Sequence, residues 1–130
     1  MKEPVWVLPE IVIAVHHMLM AEHGGLPGMR DETLLDSALN RPRHHFSYNN
    51  KVSLFDLAAS HCYGLSKNHP FVDGNKRVSL TIAAMFLELN GYSLTAPEPE
   101  AVIMIEKLAA GKLVEEDLSR WLSDSSVRNA

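Results

Sequence analysis

The chain has 130 residues, the size of one ordinary domain, and 46% of them are hydrophobic, enough to build a core and to exclude global disorder. Twelve Lys and Arg against sixteen Asp and Glu leave a net charge of −4, which argues against a dedicated nucleic-acid binder. The single cysteine, Cys62, excludes a disulfide framework and a cysteine-based zinc site and suits a reducing cytosol.

No run approaches the ~18 apolar residues of a membrane span. Glu10, His16 and His17 interrupt the N-terminal apolar stretch, so it is read as a mature start rather than a signal peptide, and a cytoplasmic protein is expected. Periodicity is helical nearly throughout, with no internal repeat. Val5-Trp6-Val7 is the one strand candidate. Pro9 suits a first helical turn, and Ile11, Val12, Val15, Met18 and Leu19 recur at helical spacing until Gly24-Gly25 stops them. Asp31 can cap a second helix carrying Leu34, Leu35, Ala38 and Leu39, which Pro42 is expected to end. Phe46 to Lys51 suits a small hairpin or flap.

Ser53 with Asp56 resembles a capping box, and Leu54, Leu57, Ala58, His61 and Leu65 then keep one apolar face to about residue 67. After a short polar loop over 68–74, a helix runs from Asn75 to Asn90 with Gly91 as its C-terminal cap. Val78, Leu80, Ile82, Ala83, Met85, Phe86, Leu87 and Leu89 cover almost every direction around it, which marks it as buried and central. Pro99 opens a helix through Ala110, and a last short helix carries Leu118, Trp121 and Leu122. The tail from Asp124 is polar and expected to fray. These elements predict a single all-α domain over 1–130, a compact bundle of about six helices around the buried central one.

Charge is uneven: residues 30–77 carry a net +2 and residues 78–130 a net −4, so the middle third is a candidate for facing an anion. Within it lies His69-Pro70-Phe71-Val72-Asp73-Gly74-Asn75-Lys76-Arg77. Pro70 excludes His69 from the α region, and Gly74 permits a tight turn and close backbone approach. The helix then begins at Asn75 with unpartnered N–H groups and a partial positive charge. Lys76 and Arg77 in that first turn are unfavourable for the helix by a few tenths to ~1 kcal/mol. An anion such as phosphate reverses the penalty, so the residues point to an anion cradle. Asp73 suits either a helix cap or a magnesium ligand beside phosphates, and His69 is a candidate general base. Phe71 suits an apolar anchor for the loop. Lys67 either reaches the same phosphates or is a solvated helix end; Thr81 either lines the cleft or bonds the backbone. Arg41-Pro42-Arg43-His44-His45 is either a substrate-facing basic edge or a solvated connection, and Arg30-Asp31 is a candidate internal pair. The seven histidines show no i,i+4 ligand pair, and no metal site is expected from them.

The nine-residue loop resembles the signature of the Fic/Doc superfamily in its Doc ("death on curing") form. The stretch His23-Gly24-Gly25-Leu26-Pro27-Gly28-Met29-Arg30-Asp31, followed by Leu34-Leu35-Asp36-Ser37-Ala38, is similar to the family's N-terminal block. Phe86-Leu87-Glu88-Leu89-Asn90-Gly91-Tyr92 is similar to the end of its central helix, so the resemblance spans about residues 9–122. It implies that His69 deprotonates a target hydroxyl and that Asp73 holds Mg²⁺. It also implies that the N–H groups of Gly74, Asn75 and Lys76 cradle phosphates of ATP, with Lys76 and Arg77 neutralising charge and the Asn75 side chain orienting an oxygen. AMP-transferring members read Gly-Asn-Gly-Arg with a second arginine three residues on; here Lys76 and Leu80 stand at the second glycine and second arginine. Those departures are Doc-like and favour γ-phosphoryl transfer over AMP transfer. The resemblance implies a toxin kinase that phosphorylates a threonine of elongation factor Tu and arrests translation. AMP transfer and a non-enzymatic co-repressor role are the alternatives. It further implies a Phd-like antitoxin, through which alone DNA would be met. No Ser or Thr here is followed by the Glu-Gly or Glu-Asn of the family's inhibitory helix. Inhibition is therefore expected from an antitoxin helix whose acidic residues approach Arg41, Arg43 and Lys51.

Overall fold

The structure, a computed structural model, describes residues 1–129. Six helices follow one another: α1 (Pro9–His23), α2 (Glu32–Tyr48), α3 (Leu54–Asn68), α4 (Asn75–Leu89), α5 (Glu98–Ala109) and α6 (Glu115–Asp124). A small antiparallel ribbon of β1 (Tyr92–Leu94) and β2 (Ser126–Arg128) joins the end of α4 to the C-terminus. The predicted helical bundle is therefore the observed one. No described helix is long and apolar enough to cross a membrane.

The centre is a pair of helices rather than one. α3 packs on α2, α4, α5 and α6, and α4 on α1, α3, α5 and β1. Leu57, Ala58, Cys62 and Leu65 of α3 meet Val78, Ile82, Ala83, Phe86 and Leu87 of α4 in one buried cluster. Gly64 brings α2 and α3 close: a Cβ there would lie 3.3 Å from the Ala38 backbone. The capping box at the start of α3 is formed on both sides, Ser53 Oγ accepting from the Asp56 amide and Asp56 Oδ2 accepting from the Ser53 amide, each at 3.0 Å.

Four local expectations are corrected. Pro42 does not end α2; it lies buried inside a helix that runs to Tyr48. An interior proline costs about 3 kcal/mol through its missing N–H. Packing beyond it offsets that loss, with Phe46 edge-on to Trp6 at 6.1 Å and the Arg43 guanidinium over the same indole at 5.3 Å. Residues 46–51 are accordingly a helix end and a turn, not a hairpin. Val5-Trp6-Val7 is extended but unpaired with any strand: Asn90 takes the place of one, its Oδ1 accepting from the Val5 amide and its Nδ2 donating to the Val5 carbonyl. The tail is ordered through residue 129, since β2 pairs with β1 in the register Tyr92↔Arg128, Ser93↔Val127, Leu94↔Ser126. Asn129 extends that pairing by donating from its side chain to Glu88 and from its amide to the Gly91 carbonyl. Ala130, the last residue of the tail, lies outside the described residues.

His61 is buried against Phe86, its Nδ1–H donating to the Leu57 carbonyl at 2.8 Å. Burial, aided by the nearby Arg43 charge, lowers its pKa from 6.5 to about 4, against the opposing pull of that hydrogen bond. In the unfolded chain the imidazole regains its ordinary value and binds the proton that the fold refuses. Its stabilising contribution is thus complete above about pH 6.5 and is lost as the pH falls towards 4. Urea unfolding is expected to lose about 2 kcal/mol from this residue between pH 7 and pH 5. That part of the pH dependence should vanish in His61→Met; an unchanged slope in the variant would assign the acid sensitivity elsewhere.

Candidate active site

The loop between α3 and α4 is tied down along its length. Pro70 prevents α3 from continuing, and His69 takes the left-handed conformation (φ 51°, ψ 57°), the sole non-glycine residue to do so among those described. Such a conformation costs on the order of 1–3 kcal/mol and needs its surroundings to hold it. Arg30 supplies that hold: its Nε donates to the His69 carbonyl at 2.6 Å and its Nη2 to the Asn68 carbonyl at 2.7 Å. The backbone amides of Arg30 and Asp31 donate to the Pro70 carbonyl, and the Val72 amide donates to the Gly28 carbonyl. Met29 and Phe71 thereby form an isolated antiparallel bridge.

From beneath, the buried Phe71 ring stacks on His16 of α1, with centroids 3.8 Å apart and planes 7° from parallel. His16 Nε2–H donates to the Asp73 carbonyl at 2.8 Å. A carbonyl only accepts, so this bond fixes the proton on Nε2. The Asn75 side chain closes the loop, its Oδ1 accepting from the Phe71 amide and its Nδ2 donating to the Phe71 carbonyl, both at 3.0 Å. That side chain is therefore engaged within the protein, and what Asn75 leaves for a ligand is its N–H, which no side chain caps.

Asp73 does not cap α4. Its Oδ2 accepts from the Leu26 amide at 3.1 Å and its Oδ1 from the Gly74 amide at 2.8 Å. Those two bonds, the Leu26 one first, hold the exposed carboxyl below the usual carboxylate range, with His16 and Arg77 adding a smaller effect. It is ionised throughout the neutral range. Gly74 is the N-cap, and no side chain caps the helix, so the first-turn amides of α4 are left facing solvent. Gly74 is required here by its φ of +75°, and a Cβ would also press on the end of the Met20 side chain, 2.3 Å from its Cε.

Two clefts flank the loop. One, of about 430 Å³, is lined by Asp73, Gly74, Asn75, Lys76, Arg77 and Thr81 together with α1 and α5. Thr81 Oγ1 donates to the Arg77 carbonyl, so this hydroxyl both lines the cleft and bonds the backbone. Lys76 reaches across to Glu106 of α5 at 3.0 Å, while Arg77 has no ion pair among the described residues. The other cleft, of about 570 Å³, contains His69 and Lys67. The candidate residues thus fall into two groups: a cradle with an adjacent carboxylate, and a histidine with a lysine. Arg41 is not a free basic edge, because its guanidinium is paired with both oxygens of Glu115 and donates to Ser60. Arg30 pairs with the loop and not with Asp31, which instead caps α2 by accepting from the Thr33 and Leu34 amides.

Sequence reasoning passed over His16, Met20 and Arg30 as parts of this site. A signal existed for the first: His16 sits four residues after Val12 and three before Leu19, a histidine on the buried stripe of α1.

These features define a class. A model of the Fic/DOC family matches residues 6–87, and the chain belongs to that family. Among its relatives, a protein described as "Protein kinase doc" from Escherichia phage P1 is 31% identical over 107 residues, covering 82% of this chain and 84% of the relative. A "Toxin Doc" from Mycolicibacterium smegmatis (strain ATCC 700084 / mc(2)155) is 40% identical over 74 residues, 56% of this chain and 57% of that one.

Replacing Arg30 by Met removes both bonds to the end of α3. Loss of about 1–2 kcal/mol of stability is expected, together with faster amide exchange at Arg30, Asp31 and Val72. Unchanged exchange at those amides would show that the loop holds itself.

Proposed function

We propose that this chain is a Doc-like toxin of a toxin–antitoxin pair, a cytoplasmic Mg-ATP-dependent kinase that phosphorylates a threonine of elongation factor Tu and so arrests translation. The observation that carries this reading is the uncapped first turn of α4, flanked by Lys76 and Arg77 and by an ionised Asp73, on a loop that also carries His69. The names of the two relatives, a kinase and a toxin, agree with it.

Phosphoryl transfer needs mainly positioning and charge stabilisation. The amides of Asn75 and Lys76 and the cation of Arg77 would bind the phosphates, while the Gly74 amide, already donating to Asp73 Oδ1, would hold that carboxylate beside them. The acceptor hydroxyl gives its proton to His69 while its oxygen bonds to the γ-phosphorus. The bond from that phosphorus to the β–γ bridging oxygen breaks, ADP leaves with the electron pair, and His69 releases the proton to solvent. Asp73 fits a magnesium ion, which takes one or two carboxylates and otherwise phosphate oxygens and water. Bound there, the ion would neutralise phosphate charge. Lys76 and Leu80, where AMP-transferring members have glycine and arginine, support γ-transfer: Leu80 lines the cleft as an apolar side chain and offers no phosphate clamp.

Lacking an inhibitory helix signature of its own, the chain is expected to be restrained by a Phd-like antitoxin segment, disordered alone and helical when bound. Since Arg41 is already paired with Glu115, Arg43 and Lys51 remain as the basic contacts proposed for it.

The test is incubation with elongation factor Tu and ATP labelled at either the γ- or the α-phosphate. Transfer of γ-label only is expected, abolished by EDTA, by Asp73→Asn and by a folded His69→Ala. Transfer of α-label would make the protein an AMP transferase, and no transfer of either label would favour a non-enzymatic partner of the antitoxin.

A further inference from the structure

We propose that the cleft containing His69 is the docking site for the acceptor polypeptide. It would seat a surface segment that carries the hydroxyl with an acidic and an aliphatic side chain nearby. This rests on the kinase reading above and adds to it where the protein substrate lies and what is recognised in it.

The first observation is the division of the site. No residue lines both clefts: the cradle and Asp73 belong to one, His69 to the other. Both run along α5, its Ala101–Glu106 part walling the cradle side and Leu108–Ala109 the histidine side. The proton acceptor and the phosphate site therefore open to different spaces. An acceptor hydroxyl that meets His69 from its own cleft does not have to share the space of the nucleotide.

The second observation is the charge of the histidine cleft. Arg41 is neutralised by Glu115, leaving Lys67 as its one cation without an ionic partner among the described residues. Lys67 Nζ rests over the Tyr63 ring at 5.6 Å, which keeps the ammonium at the cleft wall. Glu116 also lines the cleft. With Arg41 and Glu115 cancelling each other, the free charges here are one lysine and the Glu116 carboxylate, too little positive charge for a triphosphate, whereas a single acidic side chain beside the acceptor matches Lys67. Leu108, Leu113 and Val114 offer an apolar wall for an aliphatic neighbour. Lys67 is thereby assigned to the acceptor and not to the phosphates.

The experiment compares Lys67→Glu and Val114→Glu with the unaltered chain. It measures KM for elongation factor Tu by γ-label transfer and ATP affinity by calorimetry. Each variant is expected to raise KM for the protein at least tenfold while ATP affinity stays within twofold. Loss of ATP affinity, or an unchanged KM for the protein, overturns the proposal. Val114 is exposed at the start of α6, so its variant serves if Lys67→Glu fails to fold. Failure of the kinase reading is separable: the unaltered chain would then label no protein. In that case amide exchange with Mg-ATP decides. Protection confined to residues 74–81 and 101–106 supports the division of the site, and protection at 63–67 and 113–116 overturns it.

Discussion

The first turn of α4 is free because everything before it is held. From His69 to Asn75 every residue but Gly74 has its backbone or side chain tied to Arg30, to the 26–31 segment, to His16, or back onto Phe71, and Gly74 is held by the Asp73 carboxylate. Asp73 is the key member. Its carboxylate takes the Leu26 and Gly74 amides and none of the first turn, so the amides of Asn75, Lys76 and Arg77 stay available.

This arrangement runs against local stability. A left-handed histidine, an uncapped helix and two cations at the positive end of the dipole are each unfavourable. They persist because the elements on either side are anchored deeply. Val78, Ile82, Ala83, Phe86 and Leu87 are essentially inaccessible along α4, and Leu57, Ala58 and Leu65 along α3. The α3–α4 pair is thus a rigid frame whose connecting loop carries the strain. His61, in the same frame, links the fold's stability to pH without touching the site.

Helices announced themselves in the sequence where apolar spacing coincided with a cap, as at Ser53 with Asp56 and at Asp31. The signature loop was legible because Pro70, Gly74, Lys76 and Arg77 each break a local rule in the same place. What stayed hidden depended on distant partners. Pro42 reads as a helix end until Phe46 is seen against Trp6. β1 and β2 are three residues each, too short for an alternation to register. Arg30 looks like a partner for its neighbour Asp31, and only the fold brings it to His69, 39 residues away. The separation of His69 from the cradle has no trace in a continuous nine-residue motif, because the clefts are walled by residues of α3, α5 and α6 on one side and of α1 and α5 on the other.

The central claim is that the loop is a preformed phosphate cradle. Titrating the unaltered protein with Mg-ADP while following backbone amide resonances measures it most directly. Saturable shifts centred on Gly74, Asn75, Lys76 and Arg77, with Arg30, Asp31 and Val72 unmoved, are the predicted result. Shifts centred on other basic positions such as Lys107 and Lys112, or rearrangement of the 26–31 segment before the cradle responds, would contradict it.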